Sequence, residues 1–339
     1  MSYRYADINK NQIYTGGTLL KKNRKIVKNL SLLVIIAVII TVAINKIINF
    51  FANARENLPV GNGSFYTWRY GNIYYIKKGK GAPVLLVHDM HPASSAYEWN
   101  KVINQLARTN TVYAIDLLGC GRSDKPNLTY TNYMYVQLVN DFIKNVIGSP
   151  AHIVTTGSSI SFTVMACQLT PENFRKIIGI SPADLYELAQ TPTKKSNILK
   201  YVMEVPVLGS LIYNILMSRN AILDMLIDEY YFKDYLISNE TRLSYYQSAH
   251  LKDGNGKYLL SSMHSHYTTI NIVPALRKIN NSISLIGGKE HEYINDIIDE
   301  YIKYNPAIEA AYIPDSKYLP QMENPDKLVE LIKIIIHPE

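Results

Sequence analysis

Nine residues, Ile153-Val154-Thr155-Thr156-Gly157-Ser158-Ser159-Ile160-Ser161, constrain the fold of this chain most. A short β-branched run ends in Gly157, Ser159 follows two residues later and Ser161 two after that. Phe162-Thr163-Val164-Met165-Ala166-Cys167 then reads as a buried helix. The segment is a strand, a tight turn and a helix, and the turn leaves no room for large flanking side chains. Read as G-x-S-x-S, it throws the Ser159 hydroxyl above the end of a sheet, the position from which a serine acts as nucleophile. The usual pattern ends in glycine, so one flank here is small and not bare.

The surrounding sequence supplies the frame. Phe65 to Tyr70 and Ile73 to Lys77 alternate about Gly71-Asn72, which predicts a hairpin. Pro83 to Val87, Thr111 to Ile115, Ala151 to Thr156 and Ile177 to Ile180 are short apolar strands, with helical spacing over Ala96 to Leu106 and Tyr133 to Ile147. Such alternation implies a mostly parallel sheet covered by helices on both faces. Ligands in such sheets sit beyond the carboxyl ends of the strands, where Ser159 lies.

Ahead of this frame is a different kind of segment. From Leu30 to Ile44 the chain carries no charge, and apolar character resumes at Ile47, Ile48, Phe50 and Phe51. As a helix, Leu30 to Phe51 spans about 33 Å, enough for the hydrocarbon layer of a bilayer. Lys46 near its far end can snorkel to the interface. The formal charge of +7 is concentrated just before this run, in Lys21, Lys22, Arg24, Lys25 and Lys28, with Arg4 and Lys10 further upstream. The flank after it carries only Arg55 and Glu56. The positive-inside bias predicts a single-pass anchor in the cell membrane with its N-terminus in the cytoplasm and the main domain outside. Ala52-Asn53-Ala54 has the small-x-small look of a signal-peptidase site, so cleavage there is the rival reading. The remainder of the chain is near neutral, so nucleic-acid binding finds no support. Cys120 and Cys167 make no disulfide framework. Without a C-x-x-C, H-E-x-x-H or phosphate-loop motif, no cofactor or metal is expected. The four N-x-S/T sequons at Asn62, Asn127, Asn239 and Asn280 carry no weight in an Asn-rich chain.

From about Phe65 onward the chain resembles the α/β-hydrolase superfamily, in particular its lidded esterase, lipase and haloperoxidase-like members. Leu85-Leu86-Val87-His88-Asp89-Met90 stands where that family has its third strand and H-G-x turn. Asp116-Leu117-Leu118-Gly119-Cys120-Gly121-Arg122-Ser123-Asp124 matches its D-x-x-G-x-G-x-S-D loop, and Glu323-Asn324-Pro325 the E-x-P that opens its last helix. The resemblance implies an α/β fold built on a mostly parallel α/β-hydrolase sheet with a helical lid, preceded here by one transmembrane helix. The organisation expected is a basic tail (1–29), an anchor (30–52), a linker (53–63), a core in two parts (64–184 and 268–339) and an intervening lid (185–267).

The resemblance also implies site roles. Ser159 would be the nucleophile, and the backbone N–H groups of Ile160 and Met90 would form the oxyanion hole. Glu290, after the strand Ile283-Ser284-Leu285-Ile286, stands where the acid is usual, with Asp184 as the alternative. His88 would be structural. Asp89 replaces the family's glycine: it either caps the turn Pro92-Ala93-Ser94-Ser95 or opposes a developing oxyanion. In the last motif Tyr318 stands in the place of the catalytic histidine and Lys317 in that of the preceding glycine. Tyrosine is a poor base near neutral pH. A desolvated Lys317, or His91, His264, His266 or His291 swung toward Ser159, would be the substitutes. The lid is rich in apolar and aromatic residues, among them Tyr230, Tyr231, Phe232 and Met263, and predicts a pocket for an apolar small molecule. Two functions follow: hydrolysis of an ester or similar acyl bond, or a catalytically silent binding or scaffold protein.

Overall fold

The computed structural model describes residues 8–54, 58 and 63–337. Arg4, Arg55, Glu56, Asn62 and most of the linker lie outside the described residues. The chain divides into two units, Met1–Ile47 and Ile48–Glu339. The first is the greater part of a long helix, Ile8–Asn53. Within that helix Ile26–Asn53 contains an 18-residue window with a mean hydropathy of 2.6, and it is long and apolar enough to cross a membrane.

The second unit is built on an eight-stranded sheet in the order β1-β2-β4-β3-β5-β6-β7-β8. The strands are β1 (Gly63–Trp68), β2 (Gly71–Lys78), β3 (Ala82–Val87), β4 (Asn110–Ile115), β5 (Ala151–Thr156), β6 (Phe174–Ile180), β7 (Ser282–Gly288) and β8 (Glu309–Ile313). β2 is antiparallel to both β1 and β4, and the remaining pairs are parallel. This is the mostly parallel, helix-covered sheet that the sequence predicts. The hairpin turn falls two residues before the predicted position: Trp68 pairs with Gly71, leaving Arg69-Tyr70 as the turn. Asp124 explains the shift, because its carboxylate accepts the Asn72 backbone N–H at 2.7 Å and so draws Asn72 into the strand.

Side-chain alternation along the strands feeds two cores. Leu85, Val87, Ile153, Ile177 and Leu285 face one side, with the helices Asn132–Phe142, Ser159–Leu169 and Ile294–Tyr304. Val84, Leu86, Val154, Ile178 and Ile286 face the other, with Asn100–Leu106 and Pro325–Ile336. Between β6 and β7 the chain leaves the sheet for a run of helices, including Lys194–Glu204, Leu208–Leu216, Arg219–Met225 and Asn239–His250. Their core (Met203, Tyr213, Ile222, Leu226, Tyr245) closes over Tyr97, Leu319 and Met322. They form a cap beyond the carboxyl ends of the strands.

The Asp116 loop ties the sheet edge to that end. The Asp116 carboxylate accepts the N–H groups of Ala96 and Arg122, both at 2.7 Å, and Ser123 bridges the Asp116 carbonyl to the Tyr74 N–H. Gly121, at φ +47°, passes so close to that carboxylate that a β-carbon would strike it.

Beneath the turn after β5, Phe162 is fully buried and stacks on Tyr135 with ring centroids 5.3 Å apart. Phe162→Ala is expected to remove about 3–5 kcal/mol of stability through the cavity it leaves. Chemical denaturation of the full chain, followed by tryptophan fluorescence, measures this loss.

Candidate active site

The strand β5 ends at Thr156, and the residue that turns the chain is Gly157, with φ +59°. Ser158 follows in helical geometry, φ −67° and ψ −17°, and Ser159 is already the first residue of the buried helix. The apex of the elbow is therefore Gly157, two residues before the serine on which the sequence reading placed it. Of the elbow side chains, that of Ser158 reaches the cavity. Ser159, one step into the helix, is fully buried, and its Oγ donates to the His88 carbonyl at 2.7 Å. Ile160 is likewise buried, and its N–H points back at the Gly157 carbonyl, 3.4 Å away. Neither residue lines the cavity over the elbow.

At the apex, a β-carbon on Gly157 would overlap the Tyr318 hydroxyl and press on the Asp89 carboxylate. Those two groups fill the place where a nucleophile side chain would stand. The Tyr318 hydroxyl donates to Asp89 Oδ2 at 2.7 Å. Asp89 Oδ1 accepts three bonds: the Met90 N–H at 2.8 Å, the Ser158 N–H at 2.9 Å and the Ser158 hydroxyl at 2.8 Å. Asp89 thus neither caps the turn Pro92 to Ser95 nor stands apart. That turn is closed by His91, whose carbonyl accepts the Ser94 N–H and whose Nδ1 accepts the Ala93 N–H. The N–H of Met90, assigned to the oxyanion hole from sequence, is present at the site and already taken by a carboxylate. Its companion is Ser158, not Ile160.

Burial sets the protonation of these groups. Desolvation raises the Asp89 carboxyl above its usual range, against the pull of its Tyr318, Ser158 and Met90 hydrogen bonds. Desolvation, reinforced by the Asp89 charge, pushes the Tyr318 phenol well above 10, so it remains a donor. His88 is pushed down to about 4 by burial. It is neutral, with Nδ1 on the Asp89 carbonyl at 2.6 Å and Nε2 accepting the Leu117 N–H at 3.0 Å, a structural role. A second buried carboxyl, Glu98, lies behind the site, accepting the Tyr245 hydroxyl at 3.1 Å and the Asp89 N–H at 3.4 Å. Burial, aided by the Asp89 charge, raises Glu98 to about 8.

Tyr318 is locked from three sides. It stacks on Tyr230 at 5.0 Å, and its N–H donates to the Tyr230 carbonyl at 3.2 Å. His291 meets it edge-on at 5.4 Å. Glu323, from the E-x-P motif, accepts the Lys317 N–H at 2.7 Å and the Phe232 and Lys233 N–H groups at 2.9 and 3.1 Å, joining this loop to the cap.

The acid candidates are dispersed. Glu290 is exposed and outside the cavity lining. Asp184 does line the cavity, yet its carboxylate caps the short helix Leu185–Leu188 through the Tyr186 and Glu187 N–H groups. Lys317 lines the cavity as well, partly buried, with Nζ on the Asp228 carbonyl. Of the four histidines, His91 and His291 line the cavity, whereas His264 lines only a neighbouring one and His266 sits in a turn at φ +59°.

The cavity over the elbow has a volume of about 660 Å³. Carboxylates are prominent in its wall, from Asp184, Glu187, Asp228, Glu229 and Glu292. Of the cap residues predicted to line a pocket here, Tyr230 and Met263 do so, and a second cavity adjoins this one. A cavity of about 430 Å³ is walled by Leu216, Met217, Ile222, Met225, Leu260 and Met263, and it shares His91, Glu229, Tyr230 and Met263 with the first. Ser158 and Asp89 are the site residues whose part sequence reasoning missed. The signal for them was present, since an apex must follow the last strand residue directly, and Thr156 is that residue.

The sequence matches the profile of the Alpha/beta hydrolase family over residues 84–331. A 2-hydroxy-6-oxo-6-(2'-aminophenyl)hexa-2,4-dienoic acid hydrolase of Metapseudomonas resinovorans is 37% identical over 98 residues, covering 27% of this chain and 34% of that protein. A haloalkane dehalogenase of Agrobacterium fabrum is 37% identical over 59 residues, 17% of this chain and 19% of that protein. The chain thus spans about a third or less of the curated relatives it matches. Among solved structures, a serine hydrolase involved in carbazole degradation superposes with a TM-score of 0.66 at 18% identity, covering 82% of this chain and 99% of that one. A thermophilic esterase from Thermogutta terrifontis does so with 0.65 at 14% identity, covering 81% and 98%.

Two outcomes are expected. Gly157→Ala forces a β-carbon into a left-handed backbone, about 1–2 kcal/mol, and onto the Tyr318 hydroxyl, about 1–3 kcal/mol more. Part of the second loss should return in Gly157→Ala/Tyr318→Phe, as a coupling above about 0.5 kcal/mol in a double-mutant denaturation cycle. For Glu98, a carboxyl raised from 4.5 to about 8 stabilises the fold fully below pH about 4.5 and loses that contribution as pH rises through about 8. Glu98→Gln should therefore match wild type near pH 5 and be the more stable of the two at pH about 9, read from denaturation midpoints at each pH.

Proposed function

The chain belongs to the alpha/beta hydrolase family, and we propose that it is a catalytically silent member, a membrane-anchored binding protein whose former reaction centre is closed by its own side chains. The observation that carries this reading is the bare apex at Gly157, with the Tyr318–Asp89 pair in the nucleophile's place. Acyl transfer needs a nucleophile, a base and free oxyanion donors. Here the apex has no side chain, the base position holds a phenol that keeps its proton, and the donors Met90 N–H and Ser158 N–H are occupied by Asp89.

The anchor in this proposal is the apolar run ending at Asn53, with the preceding Lys/Arg cluster in the cytoplasm and the cap and cavities outside. The ligand proposed is a small molecule with an apolar body, supported by the lining of the 430 Å³ cavity. The acid-walled cavity beside it suits a polar or cationic end.

Hydrolysis remains the second reading, and one observation favours it. The Ser158 hydroxyl lines the cavity and lies 2.8 Å from Asp89, whose raised carboxyl is a stronger base than usual. A fluorophosphonate probe decides between the two. The silent reading expects no labelling of wild type, Ser158→Ala or Ser159→Ala, and labelling only when Gly157→Ser, Tyr318→His and Asp89→Gly are combined. Labelling of wild type that disappears in Ser158→Ala or Ser159→Ala would overturn it.

A further inference from the structure

The cap carries an apolar surface that the site does not use. Lys194–Glu204 and Leu208–Leu216 form a helical pair bent by 99°, apolar enough together to pass for a broken membrane span. The corner is tight: Val207 adopts φ +68°, and Gly209 passes against the Met203 carbonyl. Ile198 and Tyr201, one turn apart on the first helix, are 66% and 73% exposed. Leu208 and Ile215, two turns apart on the second, are 49% and 62% exposed. Apolar stripes of this kind on a soluble surface mark a contact with something else.

We propose that this bent pair lies in the membrane interface, in the same bilayer that holds the anchor. The proposal rests on the anchor reading above. Three observations select a bilayer over a protein partner. First, the pair and its flanks carry Lys194, Lys195, Lys200 and Arg219 against the single carboxylate Glu204, which Lys200 pairs at 2.7 Å. Basic residues beside an apolar helical face, with an exposed tyrosine, suit anionic headgroups and an apolar face buried about 5–10 Å into the interface. Second, the end of the long helix is seated on the cap. Asn53 Nδ2 donates to the His250 carbonyl at 3.1 Å, and Gly254 lies between Asn49 and Tyr213. Tyr213, on the helix that bears Ile215, donates to the Ala249 carbonyl at 2.7 Å. Third, Phe50 and Phe51, at that same helix end, are themselves 69% and 65% exposed. The stripe thus neighbours Asn49 to Asn53, near the start of the second unit. Leu216, 43% exposed beside Ile215, is also a wall of the 430 Å³ cavity, so the face proposed to meet lipid continues into the apolar cavity.

Depth-dependent quenching tests the proposal on the full chain in vesicles of mixed phosphatidylcholine and phosphatidylglycerol. Cys120 and Cys167 are buried, so an environment-sensitive thiol label reports on introduced cysteines. Ile198→Cys and Ile215→Cys examine the pair, Ile39→Cys the anchor, and Ile334→Cys an exposed position on the last helix. Nitroxide lipids should quench Ile39→Cys, Ile198→Cys and Ile215→Cys several-fold more than Ile334→Cys. Quenching at Ile39→Cys alone would overturn the inference and leave the anchor standing. A blue-shifted label at Ile198→Cys and Ile215→Cys without lipid quenching would mean that a second copy or another protein covers the stripe, and would equally overturn it. No quenching at Ile39→Cys would remove the anchor and the inference together.

Discussion

One buried carboxylate organises the functional end of this molecule. Asp89 gathers the Met90 N–H, the Ser158 N–H, the Ser158 hydroxyl and the Tyr318 hydroxyl onto its two oxygens. These donors come from three separate segments: the loop after β3, the elbow after β5 and the loop after β8. A charge taken out of water is tolerated only where hydrogen bonds replace its hydration, so the four donors must converge wherever Asp89 is enclosed. That requirement positions the elbow and holds Tyr318 against the apex. The backbone donors that could greet a developing oxyanion already greet a permanent one. On the reading proposed above, the geometry of an acyl-transfer site is kept while its donors are taken up by the chain itself.

The rest of the molecule supports this arrangement from a distance. Glu323 holds the Tyr318 loop to the cap through three backbone N–H groups, and Asp116 fastens the start of the helical layer to the sheet edge. Both carboxylates act on backbone and neither is placed to react. The Asp116 loop and the E-x-P motif thus hold backbone in place, whichever chemistry the site performs.

Much of the fold was legible in the sequence, because the cues are local and periodic. The apolar strands Pro83 to Val87 and Ala151 to Thr156, the helical spacing between them and the Asp116 loop each specify their own conformation. The site was less so. A three-letter spacing around serine placed the apex at Ser159, whereas the physical cue was where β5 runs out. The β-branched residues end at Thr156, so the next residue must turn, and only Gly157 takes a left-handed backbone without strain. Asp89 was recognised as a departure, but its partners lie far along the chain: Ser158 is 69 residues away and Tyr318 is 229. No spacing rule reaches across such intervals. The absence of a histidine at position 318 was visible from sequence; the apex that it would have served was displaced by two residues.

The clash at Gly157 also bears on any attempt to rebuild a nucleophile. A mutation that restored a nucleophile there would meet the Tyr318 hydroxyl before it met any substrate. Replacing Tyr318 first would strip a donor from Asp89 and gain no chemistry, and replacing Asp89 first would leave the apex still bare. No single one of these substitutions both supplies a side chain at the apex and clears the space around it. The three residues are therefore interlocked, and a change at any one of them is felt at the other two.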